Sequence, residues 1–299
     1  MSKQKYLILG GNGLVGKNLA KILRAQGEDV VVTSRNPEGL ENALACDILN
    51  EDDLIRVFDE TQPDVVINAT NLAGGVDFCE HNPDKSEAFH LNANINIGNL
   101  CKKHGSKMVL ISTDYVFDGE NPPYAEEDAT NPLNNYGKFK LEAEQWMEQN
   151  LDNYLIVRTT NVFGWDPLSP TPNFLIGTYR RWQDGEETTV PSFLLGNPTH
   201  AYNLSEGILS LIDKAQDGLF HVVGSSLANR LEWVQGFASR LNRDDIVIKE
   251  NPTPPEGMIP RPLESDLKID KFKSVSPVEL WSMDRGIDFF IEEMEQDLG

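Results

Sequence analysis

Tyr136 and Lys140 stand four residues apart at the start of a segment with helical spacing. Four residues advance a helix by about 400°, so the phenol and the amine share one face. Upstream, the apolar run Met108-Val109-Leu110-Ile111 leads into Ser112-Thr113, which places a hydroxyl at the end of a buried strand. A phenol with a pKa of ~10 is a poor proton donor at neutral pH. A nearby ammonium favours the phenolate and lowers that value, which makes tyrosine a usable general acid. The Thr113 hydroxyl can hydrogen-bond a carbonyl. The three together predict a site that protonates a carbonyl oxygen. Many helices contain Y-x-x-x-K, so the prediction rests on the order of parts: strand, hydroxyl, then tyrosine and lysine.

The partner chemistry stands at the N-terminus. Lys5 to Leu9 reads as a short strand, followed at once by Gly10-Gly11-Asn12-Gly13-Leu14-Val15-Gly16 and a helical pattern over Lys17 to Gln26. Glycines let a backbone turn tightly and approach a pyrophosphate, which the helix N-terminus then stabilises. A lone G-x-G-x-x-G is weak; between a strand and a helix it predicts dinucleotide binding through Gly10, Gly13, Leu14, Val15 and Gly16. The second strand, Val30 to Thr33, ends in Thr33-Ser34-Arg35. An acid there would hold the ribose 2′-OH of NAD, whereas Ser34 and Arg35 suit the 2′-phosphate of NADP, with NAD still possible. Asp47 and Ile48 after a third strand are placed to flank the adenine. Asn68, Ala69 and Thr70 after a fourth are placed to face the cofactor.

Positioning these groups requires a layered scaffold. Strands at Leu44 to Cys46, Asp64 to Asn68, Lys107 to Ile111 and Tyr154 to Val157 alternate with helical patterns around 54–58, over Ala88 to His104, and from Tyr136 to Gln149. That alternation predicts βαβ units and a parallel sheet. The strands are continuously apolar, as in a sheet covered on both faces. The predicted fold is α/β, a Rossmann-type doubly wound parallel sheet with a smaller C-terminal substrate lobe. After Arg158 the rhythm breaks. Helices are expected over Phe174 to Asp184, Leu204 to Lys214, Ala228 to Leu241 and Pro277 to Glu295, with a strand at Leu219 to Val223. Asn251 to Pro262 holds five prolines and reads as a loop. The expected division is a dinucleotide domain over 1–162 with a returning segment at 198–224, and a substrate lobe from 163–197 and 225–299.

The 299 residues suffice for one large α/β unit with a smaller lobe. Lys and Arg number 26 against 47 Asp and Glu, a net charge of −21 that argues against nucleic acid or an anionic membrane as partner. No apolar run is long enough to span a bilayer, and the N-terminus lacks a signal-peptide pattern. Cys46, Cys79 and Cys101 are widely spaced and read as reduced thiols of a cytoplasmic protein. The five histidines lack metal-ligand spacing.

Taken with S-T-D-Y-V-F-D-G (112–119), P-Y-A-E-E-D (123–128), N-P-L-N-N-Y-G-x-x-K (131–140), G-N-P-T (196–199) and R-P-L-E-S-D-L (261–267), the chain resembles the extended short-chain dehydrogenase/reductases. Within them it looks most like the dTDP-4-dehydrorhamnose reductases. The resemblance implies NADPH-dependent reduction of a 4-keto-6-deoxy sugar carried on a nucleotide. It implies Thr113, Tyr136 and Lys140 as catalytic residues and Asn92 as a supporting asparagine. Expected substrate contacts are Thr113, Asp114, Tyr115, Asn161 and, for the diphosphate, Arg261. It also implies a homodimer built on the helices near 90–104 and 136–149. Where the family often has a tryptophan after the Arg-Thr of the sixth strand, this chain has Asn161 after Arg158-Thr159-Thr160. Two alternatives stay open. One is a nucleotide-sugar epimerase or dehydratase of the same fold, although Asp114 is followed by Tyr115 where dehydratases carry glutamate. The other is a non-catalytic subunit resembling the regulatory subunit of methionine adenosyltransferase.

Overall fold

A computed structural model describes residues 3–169, 171–243 and 245–298. Its centre is a seven-stranded parallel sheet. The strands are β1 (Lys5–Leu9), β2 (Asp29–Ser34), β3 (Ala43–Ala45), β4 (Val65–Asn68), β5 (Lys107–Thr113), β6 (Tyr154–Thr159) and β7 (Gly218–His221). Their order across the sheet is β7-β6-β5-β4-β1-β2-β3, so the winding reverses between β1 and β4. Ligands of open α/β sheets lie outside the carboxyl ends of the strands at that reversal.

Side chains alternate along each strand, and the sheet therefore has two cores. Tyr6 and Ile8 of β1 join Val65, Ile67, Val109, Leu155 and Val157 on one face. Leu7 and Leu9 join Val66, Met108, Leu110 and Ile156 on the other. The first face is covered by α1 (Leu14–Ala25) and the later helix at 201–213; the second by α2 (Glu51–Thr61), α5 (Ala93–His104) and α6 (Asn135–Asn150). Both faces being apolar explains why the strands read as unbroken hydrophobic runs.

Between β4 and α5 the sequence suggests one long helix from Ala88, and the structure divides it. Two short helices, α3 (Gly75–His81) and α4 (Pro83–Glu87), run into a π-helical turn at Ala88–Asn92 before α5 begins at Ala93. Pro83 sits at the first turn of α4, where a missing amide costs nothing. The π turn inserts an extra residue into the helical phase and so changes which side chains face the core.

The remainder contains α7 (Phe174–Gln183), α8 (Ala201–Asp213), α9 (Arg230–Arg240), α10 (Asp270–Val275) and α11 (Met283–Leu298). Three differences from the sequence reading have local causes. Helix α9 starts at Arg230 because Asn229 and Glu232 form a reciprocal capping box. Residues 277–282 precede α11 without helix, and Ser282 accepts from the amide of Arg285 at 3.3 Å. Helix α1 starts at Leu14, three residues earlier than the apolar spacing suggested, directly after the glycine loop. A third core of Phe163, Trp182, Trp233, Phe237 and Phe290 lies under α7, α9 and α11. Short ladders stitch this part together: 188–191 with 248–251, and 195–196 with 228–229 and 264–265. Lys17 of α1 reaches Asp166 at 2.9 Å, tying the helix of the glycine loop to the segment after β6.

Candidate active site

The glycine loop leaves β1 and enters α1 with Gly13 as N-cap and no side chain bonding the first turn. Its backbone amides therefore face outward at the positive end of the helix. A Cβ on Gly16 would lie 2.3 Å from the carbonyl oxygen of Gly10, so only glycine lets helix and loop close this tightly. Leu14 and Val15 are half-buried at the mouth of this turn. At the end of β2, Ser34 is buried and its hydroxyl accepts from the amide of Asn36 at 3.2 Å. Arg35 beside it is exposed. Ile48 is buried, and half-buried Asp47 accepts the Leu49 amide at 3.0 Å. These residues fit a dinucleotide: an uncapped helix end for the pyrophosphate and an exposed cation for a ribose phosphate.

The Asn68 side chain is held by its neighbours. Its carboxamide oxygen accepts from the Thr70 hydroxyl at 2.6 Å and amide at 3.1 Å, and its nitrogen donates to Asn94 at 2.8 Å. It is a buried strut that shapes the Ala69-Thr70 turn, with both polar atoms already engaged.

At the carboxyl end of β5 the predicted catalytic groups converge. Tyr136 lies in the first turn of α6, whose N-cap Asn134 accepts the Gly137 amide at 3.0 Å. Gly137 is needed here, since a Cβ would lie 2.1 Å from the carbonyl of Tyr115. The Thr113 hydroxyl is within hydrogen-bonding reach of the Tyr136 phenol. It also donates to Asp114 at 3.1 Å and accepts the Tyr115 amide at 3.2 Å. Lys140, one turn below Tyr136, is buried and donates to the carbonyl of Ile111 at 2.9 Å. Below it, Glu144 receives three bonds from Arg158, the shortest 2.7 Å, and one from Ser112.

The electrostatics differ from the sequence reading in one respect. Burial pushes the Tyr136 phenol above its ordinary range; the Thr113 hydroxyl pulls it back, and Asp114 and Tyr115 push it further up. The Lys140 ammonium does not set that direction. Desolvation sets it, and desolvation also pulls Lys140 itself down to about 8 despite the Glu144 carboxylate. The phenol is thus held protonated, as a proton donor must be before it acts.

Two further expected site residues differ in exposure. Asn92 closes the π turn with its side chain exposed, whereas Asn94 is buried and bonds Asn68 and the carbonyl of His90. Asp114 is 3% exposed, with Ser265, Thr160 and Thr113 hydroxyls on it, and burial raises its pKa despite them. It braces the floor of the site and has no free face for substrate.

Other groups were missed in the sequence. His90 meets Tyr136 edge-on at 5.0 Å and lies 3.7 Å from Cys79. Burial keeps this imidazole neutral, with its pKa lowered to about 2. Only the π turn puts it there, and no local spacing announces a π turn. Tyr115 contacts Tyr136 edge-on at 5.6 Å, and Arg230 and Arg261 both act on it. Arg261 pairs with Asp77 of α3 and donates to the Ile259 carbonyl at 3.0 Å. Arg230 donates to Asn161 at 3.4 Å.

A family model described as the RmlD substrate binding domain matches residues 4–296. The chain belongs to that family. It is an extended short-chain dehydrogenase/reductase of the dTDP-4-dehydrorhamnose reductase type, as the motifs around Tyr136 implied. It is 30% identical over 247 residues to a dTDP-4-dehydrorhamnose reductase from Burkholderia thailandensis, covering 79% of this chain and 77% of that one. It is equally, 30%, identical over 251 residues to methionine adenosyltransferase 2 subunit beta from Danio rerio, covering 80% and 74%. The fold superposes with a TM-score of 0.88 on a dTDP-4-dehydrorhamnose reductase from Bacillus anthracis str. Ames in complex with NADP. That pair is 26% identical and aligned over 97% of this chain and 99% of the other.

Proposed function

We propose that this chain reduces the keto group of a nucleotide-linked 4-keto-6-deoxy sugar, with NADPH as reductant. The observation that carries this reading is the meeting of Thr113, Tyr136 and Lys140 at the carboxyl edge of the sheet, beside the strand-order reversal. NADPH would supply a hydride, held by Gly10, Gly13, Leu14, Val15, Gly16, Ser34 and Arg35. Tyr136 gives the proton to the carbonyl oxygen. Thr113 orients that oxygen through the hydroxyl it now turns toward Asp114. Lys140, fixed by Ile111 and charged below pH 8, offsets the negative charge left on the phenol. Tyr115, Asn161 and Arg261 line the substrate side.

We further assign the substrate lobe to 163–197 and 225–299, with 198–224 returning to the sheet. Homodimer formation through α5 and α6 is the assembly this family suggests, and light scattering reads it directly. The three free, buried thiols fit a cytoplasmic setting.

The test is NADPH oxidation dependent on a dTDP-4-keto-6-deoxy sugar. Tyr136→Phe is expected to lower turnover by ~10²–10⁴-fold while leaving NADPH affinity in place. Activity that survives the change sinks the mechanism. The likeness to methionine adenosyltransferase 2 subunit beta favours a second reading, a dinucleotide-binding subunit of another enzyme. Co-purification with a synthetase, without keto-sugar turnover, would select it.

A further inference from the structure

Arg230 is an anomaly in its own helix. It is the first residue of α9, where the macrodipole is positive and a cation is disfavoured. The capping box of Asn229 and Glu232 fixes that helix start, so the position is set by the fold. The guanidinium stacks 4.4 Å from the centre of the Phe174 ring and is half-buried. Among the described residues its one side-chain partner is neutral, the carboxamide oxygen of Asn161 at 3.4 Å, and no carboxylate forms an ion pair with it. Burial lowers its pKa and a second guanidinium, Arg261, adds to that, while Tyr115 and the buried Asp114 act the other way without bonding it. A half-buried charge with no bonded counter-charge is costly.

Asn161 shows that the arrangement is built. Its backbone φ is +47°, a left-handed conformation that non-glycine residues adopt at a cost. It lies two residues after β6, at the carboxyl edge of the sheet where Tyr136 and Tyr115 lie. Here it carries an amide that steers a guanidinium.

We propose that Arg230 is a specificity-determining substrate residue, which takes an oxyanion of the bound nucleotide sugar on the side of the site facing Tyr115. The inference rests on the nucleotide-sugar reading of the site. Two parts of such a ligand carry that chemistry: the diphosphate, and a carboxylate on the sugar. Phe174 and Asn161 hold the guanidinium plane so that its free edge can form a paired contact with two oxygens, which an ammonium cannot reproduce.

The experiment is calorimetric titration of the NADPH-loaded protein with dTDP, and separately with a nucleotide hexuronate and its neutral hexose counterpart. It is run on wild type, Arg230→Gln and Arg230→Lys. NADPH affinity and thermal midpoint report that each variant is folded. Arg230→Gln is expected to weaken the anionic ligand by ~10–100-fold, the span of a charged hydrogen-bonded contact. Arg230→Lys should recover only part of it. Loss on dTDP assigns the contact to the diphosphate. An unchanged dTDP affinity with loss of the hexuronate's advantage over the hexose assigns it to a sugar carboxylate. Unchanged affinities for both, or a wild type that binds neither, overturns the proposal. A wild type that binds dTDP through Arg230 yet never oxidises NADPH would overturn the reductase reading and leave this assignment standing.

Discussion

The two sides of Tyr136 treat charge in opposite ways. Behind it, toward the sheet, Glu144 and Arg158 are 2% and 3% exposed and bonded to each other, with Ser112 on the same carboxylate and Lys140 one turn away. The Arg158 guanidinium also lies 5.1 Å from the centre of the Phe117 ring. In front, Arg230 has a neutral amide for a partner and Arg261 shares its space. A cation closed off with its counter-ion holds structure in place. A cation left half-open beside another cation is placed to take a ligand, as proposed for Arg230. On that reading the contrast separates residues that fix Tyr136 from those that recognise substrate.

The sharpest way to break this contrast is Tyr136→Phe. If that change lost NADPH binding along with turnover, the phenol would belong to the scaffold and not to the chemistry. Next is Glu144→Gln. It strands the Arg158 guanidinium, and loss of one member of a buried pair costs about 3–5 kcal/mol. Denaturant unfolding should show that loss, whereas Arg230→Gln should leave stability nearly unchanged. Equal destabilisation by the two variants would erase the distinction.

A smaller effect concerns pH. Lys140 is pulled down to about 8 from an ordinary 10.5, so kcat/KM should fall as pH rises through 8 and the ammonium is lost. Lys140→Arg, which stays charged, should remove that limb, although the altered geometry slows the reaction. The stability term runs the other way. Between the folded and unfolded values the unfolded chain binds more protons, so the Lys140 contribution to stability rises with pH across that window and is lost as pH falls through 8. Titration of the cofactor-free protein checks the sign. The mildest prediction is Arg35→Glu, which should weaken NADPH by ~10-fold or more and spare NADH, because only the former carries the 2′-phosphate. Equal loss of both cofactors would remove Arg35 from that role.

The fold was legible because its dominant signal is local. Leu7, Ile8 and Leu9 are all buried, so β1 shows up as an unbroken apolar run, and the glycines that follow mark the turn into α1. Tyr136 and Lys140 were legible because helix geometry fixes what lies four residues away. The part that stayed hidden depends on residues distant in sequence. Arg230 gains its meaning from Phe174 and Asn161, and His90 from a π turn that no spacing encodes. Asn92 was named from the family resemblance alone, and nothing in its local spacing marked the buried Asn94 two residues on. Asp114 looked available as a strand-end carboxylate; Thr160 and Ser265, far along the chain, close over it. One signal was present and went unread: a cation at the N-terminus of a helix whose capping box is visible as Asn229-x-x-Glu232.

The two-residue ladders at 195–196, 228–229 and 264–265 carry few backbone bonds each, compared with the long shared register of β5 and β6. Segments held so lightly can be rewritten by substitution without disturbing the seven strands beneath. With Asn161 and Arg230 beside such segments, the assignments proposed above would let sugar preference change by exchange of those two side chains while Tyr136 stays in place.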